Sequence, residues 1–172
     1  MPSSRGLSLL LGACGVVAAG LLWRQLAAGI APPSDGVNLA GRVGLALAWL
    51  LPALLVLWAM LLAQMGARFL GGVFDPLAGK DGRFLAVNQR IITNTVEHAA
   101  VFVPALLALA AGVDREHMPL VLALPLVFAA GRVAFWAGYL VAPLGRGIGM
   151  AATVAATAGA LGGAVAVWCF AG

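Results

Sequence analysis

Arg90, Asn94 and Glu97 stand at i, i+4 and i+7 in a predominantly apolar stretch, so a helix carries all three on one face. Further along, Arg132 and Tyr139 repeat the seven-residue separation with Phe135 between them on the same stripe, and Arg146 follows in a short turn. Together these are cations, one carboxylate, one amide and one phenol. Cations at the mouth of such a group attract a small anionic ligand, while Asn and Glu bind amide and ammonium groups. Apolar walls alongside admit a lipid-like second molecule. Metal chemistry is not indicated. His98 adjoins Glu97 but lies about 100° around the helix, His117 falls in a loop, and no Cys/His cluster or pair of carboxylates is present. Gly71-Gly72 lacks the Lys and Ser/Thr context of a phosphate-cradling loop.

Depth separates these residues. Glu97 lies about 10 Å along the helix from Arg90, and Arg132 roughly 15 Å from the end of its own span near Ala142. A charge at that depth costs on the order of 3 kcal/mol even on gentle insertion scales, so it needs a partner or a water-filled cavity. Glu97 is the only acidic residue inside the spans, so the economical expectation is an interhelical Glu97–Arg132 ion pair. Taken alone, Tyr139 reads equally as an interfacial belt residue and Arg146 as a topology-setting charge.

The elements that hold these groups are membrane helices. With 63% hydrophobic and only 9% charged residues, and a mean hydropathy of +1.04, the chain cannot cover a water-facing surface. Spans of about 20 apolar residues are expected at 6–23, 43–66, 91–112, 118–142 and 147–171. The fold class is thus all-α: an integral membrane protein built as an antiparallel bundle of five transmembrane helices. Short connections at Asp114–His117 and Pro143–Arg146 make the last three spans antiparallel neighbours. The apolar run continues past Cys14 to Trp23, which favours a retained span over a cleaved signal peptide. Cys14 and Cys169 are expected as small buried hydrophobes. Pro52, Pro104, Pro119 and Pro125 are tolerable in lipid-embedded helices. The last span is rich in glycine and alanine, which lets helix backbones approach closely.

The formal charge of +4 does not point to nucleic acid, because the Lys and Arg residues form no basic stripe. They divide by side instead. Arg5, Arg68, Lys80, Arg83, Arg90 and Arg146 fall on one side, and Arg24, Arg42 and Arg115 on the other. That bias puts the amino terminus in the cytoplasm and the carboxyl terminus outside.

Arg90-x3-Asn94-x2-Glu97 in one span, followed by Arg132, Gly138-Tyr139 and Arg146, resembles the MAPEG family, the membrane-associated proteins of eicosanoid and glutathione metabolism. The resemblance covers roughly residues 43–171. It divides the chain into an additional amino-terminal helix and loop, 1–42, and a four-helix membrane domain, 43–172. It implies a homotrimer with glutathione as co-substrate, bound between neighbouring subunits at the cytoplasmic side. It also implies a small hydrophobic substrate and, for a bacterial-type member, residence in the inner membrane. By position it makes Arg90, Asn94, Glu97, Tyr139 and Arg132 the glutathione-binding set, with Tyr139 and Arg146 catalytic. Arg146 matches the arginine that stabilises the glutathione thiolate, since a nearby guanidinium lowers a thiol pKa. The implied activity is a glutathione transferase or peroxidase acting on hydrophobic electrophiles or lipid peroxides. The family also includes a non-catalytic lipid-binding scaffold, which is the alternative. Thr93, Phe135 and Gly147 depart from side chains found in some members and bear on the particular reaction more than on the ligand.

Overall fold

Backbone amides in hydrocarbon must be satisfied within the chain, and a helix does this inside a single segment. The computed structural model describes residues 4–75, 77 and 79–170, and among them there is no strand. The helices are α1 (Ser4–Gly29), α2 (Leu39–Trp49), α3 (Leu51–Gly71), α4 (Arg83–Gly112), α5 (Met118–Val141) and α6 (Arg146–Phe170), with a 3-10 turn at Arg115–His117 before α5. Taken together, α2 and α3 form one span, so among the described residues five helical segments are long and apolar enough to cross a membrane.

Three details differ from the expected spans. The second span breaks at Leu50, because Pro52 has no N–H and its ring opposes the carbonyl of the preceding turn. The chain passes this point with a tightened bond from Leu50 N to the Leu47 carbonyl. Helix α4 starts at Arg83 rather than at residue 91, because Leu85 and Asn88 are buried and make this stretch an amphipathic first turn of the helix. Cys14 and Cys169 are free but lie on the exposed surface rather than in the core.

α5 is the central span: it packs against every other helix and is the most buried of the five. Its Phe128 stacks on Phe102 of α4, with ring centroids 4.4 Å apart and planes inclined by 14°. Polar ties hold the helices in register at both ends. On one side Arg42 donates to the Ala110 and Ala111 carbonyls at the end of α4, at 3.3 and 3.0 Å. Trp23 Nε1 donates to the Leu120 carbonyl at 2.8 Å, and Arg115 pairs with Asp35. Beside it, the His117 ring meets the Asp114 carboxylate at 2.7 Å and the His117 backbone N–H donates to the same oxygen. These two contacts, the ring first, hold the Asp114 carboxyl below the usual carboxylate range. On the other side Arg68 grips Asp81 through two parallel bonds of 2.9 and 2.8 Å. Gln64 and Asn88 form a buried clasp between α3 and α4, Asn88 Nδ2 donating to Gln64 Oε1 at 2.9 Å.

α5 and α6 approach at backbone distance. A Cβ placed on Gly149 would lie 2.1 Å from Phe135 N and 2.6 Å from the Gly131 carbonyl oxygen. Gly138 and Gly145 meet in the same way at the turn. Gly149→Ala therefore forces the two helices apart, and we expect a loss of about 1–3 kcal/mol in thermal unfolding in detergent. Gly162→Ala, which meets nothing within 4 Å, should leave the unfolding midpoint in place.

Candidate functional site

At the end of the bundle where α4 and α6 begin, a cleft of about 940 Å³ opens between α1, α4, α5 and α6. One face of α4 brings Arg90, Asn94 and Glu97 to it, together with Gln89 and Thr93. Tyr139 reaches it from α5, and Arg146 from the first turn of α6. Five of the six residues singled out by spacing therefore share one cavity.

The sixth, Arg132, does not line it. Its side chain is fully buried, sitting behind the wall of the cleft. Nη1 donates to Asn94 Oδ1 at 2.9 Å, and Nε donates to Thr153 Oγ1 at 2.9 Å. Thr153 accepts because its own hydroxyl proton is already given to the Gly149 carbonyl, at 2.8 Å. The guanidinium lies over the rings of Phe128 and Phe135, 5.7 and 4.7 Å from their centroids. Arginine's planar, weakly hydrated head suits such a site, because it stacks on aromatic faces while its edge donates.

This arrangement corrects the expected Glu97–Arg132 pair. Glu97 is exposed to the cleft and has no ion pair among the described residues, whereas Arg132 is satisfied by an amide, a hydroxyl, a thioether sulfur and two rings. The consequence lies in Asn94. With Oδ1 held by Arg132, its Nδ2 group makes no bond among the described residues and is left to donate into the cleft. Arg132 thus acts as a positioning residue for Asn94.

Tyr139 continues the aromatic stripe. It meets Phe135 edge-on at 5.8 Å, and the Arg146 guanidinium lies 4.8 Å over its ring. The cleft thereby carries two guanidiniums, Arg90 and Arg146, against one carboxylate, Glu97. Arg146 also stands at a helix amino terminus, where unpaired backbone N–H groups and the helix dipole favour negative charge.

Thr153 and the α1 wall (Ser8, Leu9, Gly12, Ala13 and Val16) were not singled out from the sequence. Thr153 lies seven residues beyond Arg146 in a small-residue run, and nothing local marks it as the acceptor for Arg132. For α1, the available signal was the pattern of small residues on the face around Gly12 and Gly15.

The geometry makes a double-mutant cycle decisive. Arg132→Met strips Asn94 and Thr153 of a buried donor and should cost about 1–3 kcal/mol of stability. Glu97→Gln should be close to neutral, with a coupling below about 0.5 kcal/mol. A large coupling would restore the ion pair.

No curated protein and no solved structure matches the chain. A family model does match: that of the MAPEG family, over residues 44–166, which runs from α2 through most of α6 and leaves α1 outside. With that match covering well over half of the chain's 172 residues, this membrane protein belongs to the MAPEG family.

Proposed function

We propose that the cleft binds glutathione and that the protein is a glutathione-dependent membrane transferase or peroxidase. The observation that carries this reading is the convergence of Arg90, Asn94, Glu97, Tyr139 and Arg146 on one cavity in a chain of this family. Glutathione offers carboxylates, an ammonium group and peptide amides. Arg90 supplies a guanidinium for a carboxylate, Glu97 a carboxylate for the ammonium, and the oriented Nδ2 of Asn94 a donor for a peptide carbonyl.

Arg146 is assigned to the thiol. A guanidinium at a helix amino terminus stabilises the thiolate over the thiol, which raises the fraction of the reactive form at neutral pH. The thiol proton leaves to water. With a chlorinated aromatic acceptor the sulfur attacks the ring carbon, a C–S bond forms and chloride departs. With a lipid hydroperoxide the sulfur attacks the outer oxygen, the O–O bond breaks, and the departing alkoxide takes a proton from water to leave as the alcohol. A second glutathione then resolves the sulfenic acid to the disulfide and water. Tyr139, stacked beneath Arg146, keeps that guanidinium over the cleft and offers its hydroxyl as a further donor.

The same reading takes the assembly as a homotrimer. Leu54, Leu55, Trp58, Leu62 and Met65 on the exposed face of α3 supply apolar surface for lipid or a neighbouring subunit. The excess of Lys and Arg on the side of the cleft supports a cytoplasmic mouth in a bacterial inner membrane, with both substrates arriving where glutathione is found.

Purified protein in detergent should bind glutathione calorimetrically and conjugate a chlorinated aromatic acceptor. Absence of binding at millimolar glutathione sinks the reading. Arg146→Ala should lower kcat by about a hundredfold with a smaller effect on glutathione affinity, as for loss of one anion-stabilising donor. Glu97→Gln should instead weaken glutathione binding by about tenfold, the cost of one charge-assisted contact. Unchanged turnover in Arg146→Ala would show that its assigned role is wrong.

A further inference from the structure

α1 lies outside the family match, yet one of its faces lines two cavities. Leu9, Ala13, Val16, Gly20 and Trp23 recur at alternating steps of four and three, which keeps them on a single stripe. Leu9, Ala13 and Val16 face the polar cleft. Val16, Gly20 and Trp23 face a second, partly open cavity of about 680 Å³ lined by α1, α4, α5 and α6. Val16 belongs to both, so the two cavities adjoin at that residue along α1.

The second cavity is a slot rather than an outer face. Leu124 and Val127 of α5 and Ala155 and Gly159 of α6 form its far wall. Its polar side chains, Asp114 and His117, stand at the loop end away from the cleft. Two anchors hold α1 across it. At Gly15 the helix touches α6 so closely that a Cβ would lie 2.4 Å from the Ile148 carbonyl oxygen. Near the other end Trp23 Nε1 is bonded to the Leu120 carbonyl. Between them Gly20 leaves open space, with nothing within 4 Å of an added Cβ. From Val16 to Trp23 the slot runs about 10 Å along the helix, and its volume lies in the range of single-ligand sites.

We propose that this slot holds the hydrocarbon tail of the hydrophobic co-substrate, with α1 as the wall that selects for it. A tail lying along Val16–Trp23 puts the other end of the molecule at the polar cleft, beside Met150 and Tyr139. The slot therefore favours acceptors whose reactive group sits at the end of a long alkyl chain. This inference rests on the glutathione reading of the cleft, and the experiment keeps the two separable.

Two unsaturated aldehydes serve as acceptors, one short and one ending in a long alkyl chain. In each, the glutathione sulfur adds to the β-carbon and a proton to the α-carbon. Gly20→Leu in the full chain fills the slot, and Gly159→Leu fills it from the opposite wall, where an added Cβ makes only an ordinary contact with Leu124. Both variants should lower kcat/KM for the long acceptor by about tenfold or more and leave the short one within about twofold. In parallel, a diazirine-bearing long-chain fatty acid in membranes should label peptides around Gly20 and Gly159, and both variants should suppress that labelling. Labelling confined to the outer face of α3, or unmoved by either variant, overturns the proposal. Suppressed labelling with an unchanged ratio of long to short turnover gives the slot to a resident lipid and overturns the co-substrate assignment. A changed subunit number in native mass spectrometry gives it to a neighbouring copy and likewise overturns it. Absence of turnover with both acceptors in the unaltered protein refutes the glutathione reading instead, because the photolabelling reads the slot without glutathione.

Discussion

The buried guanidinium of Arg132 is the constraint around which this bundle is organised. A charge in the middle of a membrane span is tolerated only when its donors are matched and its faces are covered. Here Thr153 accepts from Nε, Asn94 from Nη1 and the Met150 sulfur from Nη2, and Phe128 and Phe135 lie against the faces. These partners come from three different helices, so satisfying one side chain sets the rotation of α4, α5 and α6 about their axes. The close backbone contact of Gly131 and Gly149 belongs to the same arrangement, because Thr153 reaches Arg132 only where α5 and α6 nearly touch.

The consequence for the cleft is preorganisation. Asn94 cannot turn its amide without breaking the bond to Arg132, so its donor edge is presented toward the cavity before any ligand arrives. From Phe128 the stripe runs through the Arg132 guanidinium to Phe135, then ring to ring to Tyr139, and ends at the Arg146 guanidinium, each group meeting the next. A rigid interior cation thus leads by contact to a cation at the mouth. On the proposed reading the two arginines divide the labour. Arg132 fixes geometry out of reach of ligand, and Arg146 acts on it directly.

Much of this is written locally in the chain. Hydropathy and the near-absence of charge mark the spans, and the i, i+4, i+7 spacing of Arg90, Asn94 and Glu97 places them on one face wherever the helix ends up. What depends on the facing helix is not local. Charge alone paired Arg132 with Glu97, but the partner is the neutral amide one turn away, because the rotation of α4 against α5 turns Glu97 into the cleft. Leu85 and Asn88 read as loop residues until α3 is present to bury them. The role of α1 was least visible, since a span of Leu, Ala and Gly is equally suited to lipid, to packing or to lining a cavity. Only the positions of Gly15 against α6 and Gly20 against open space tell these apart.

On the proposed reading, the mouth of the cleft, built on Arg132 and ending in Arg146, holds glutathione as a thiolate. Titrating the ultraviolet thiolate absorbance of glutathione bound to the purified protein tests it directly. Bound thiolate should persist well below the free thiol pKa of about 8.5, and Arg146→Ala should return the titration toward that value. A bound thiol that titrates as it does in water, or a midpoint unmoved by Arg146→Ala, would contradict it.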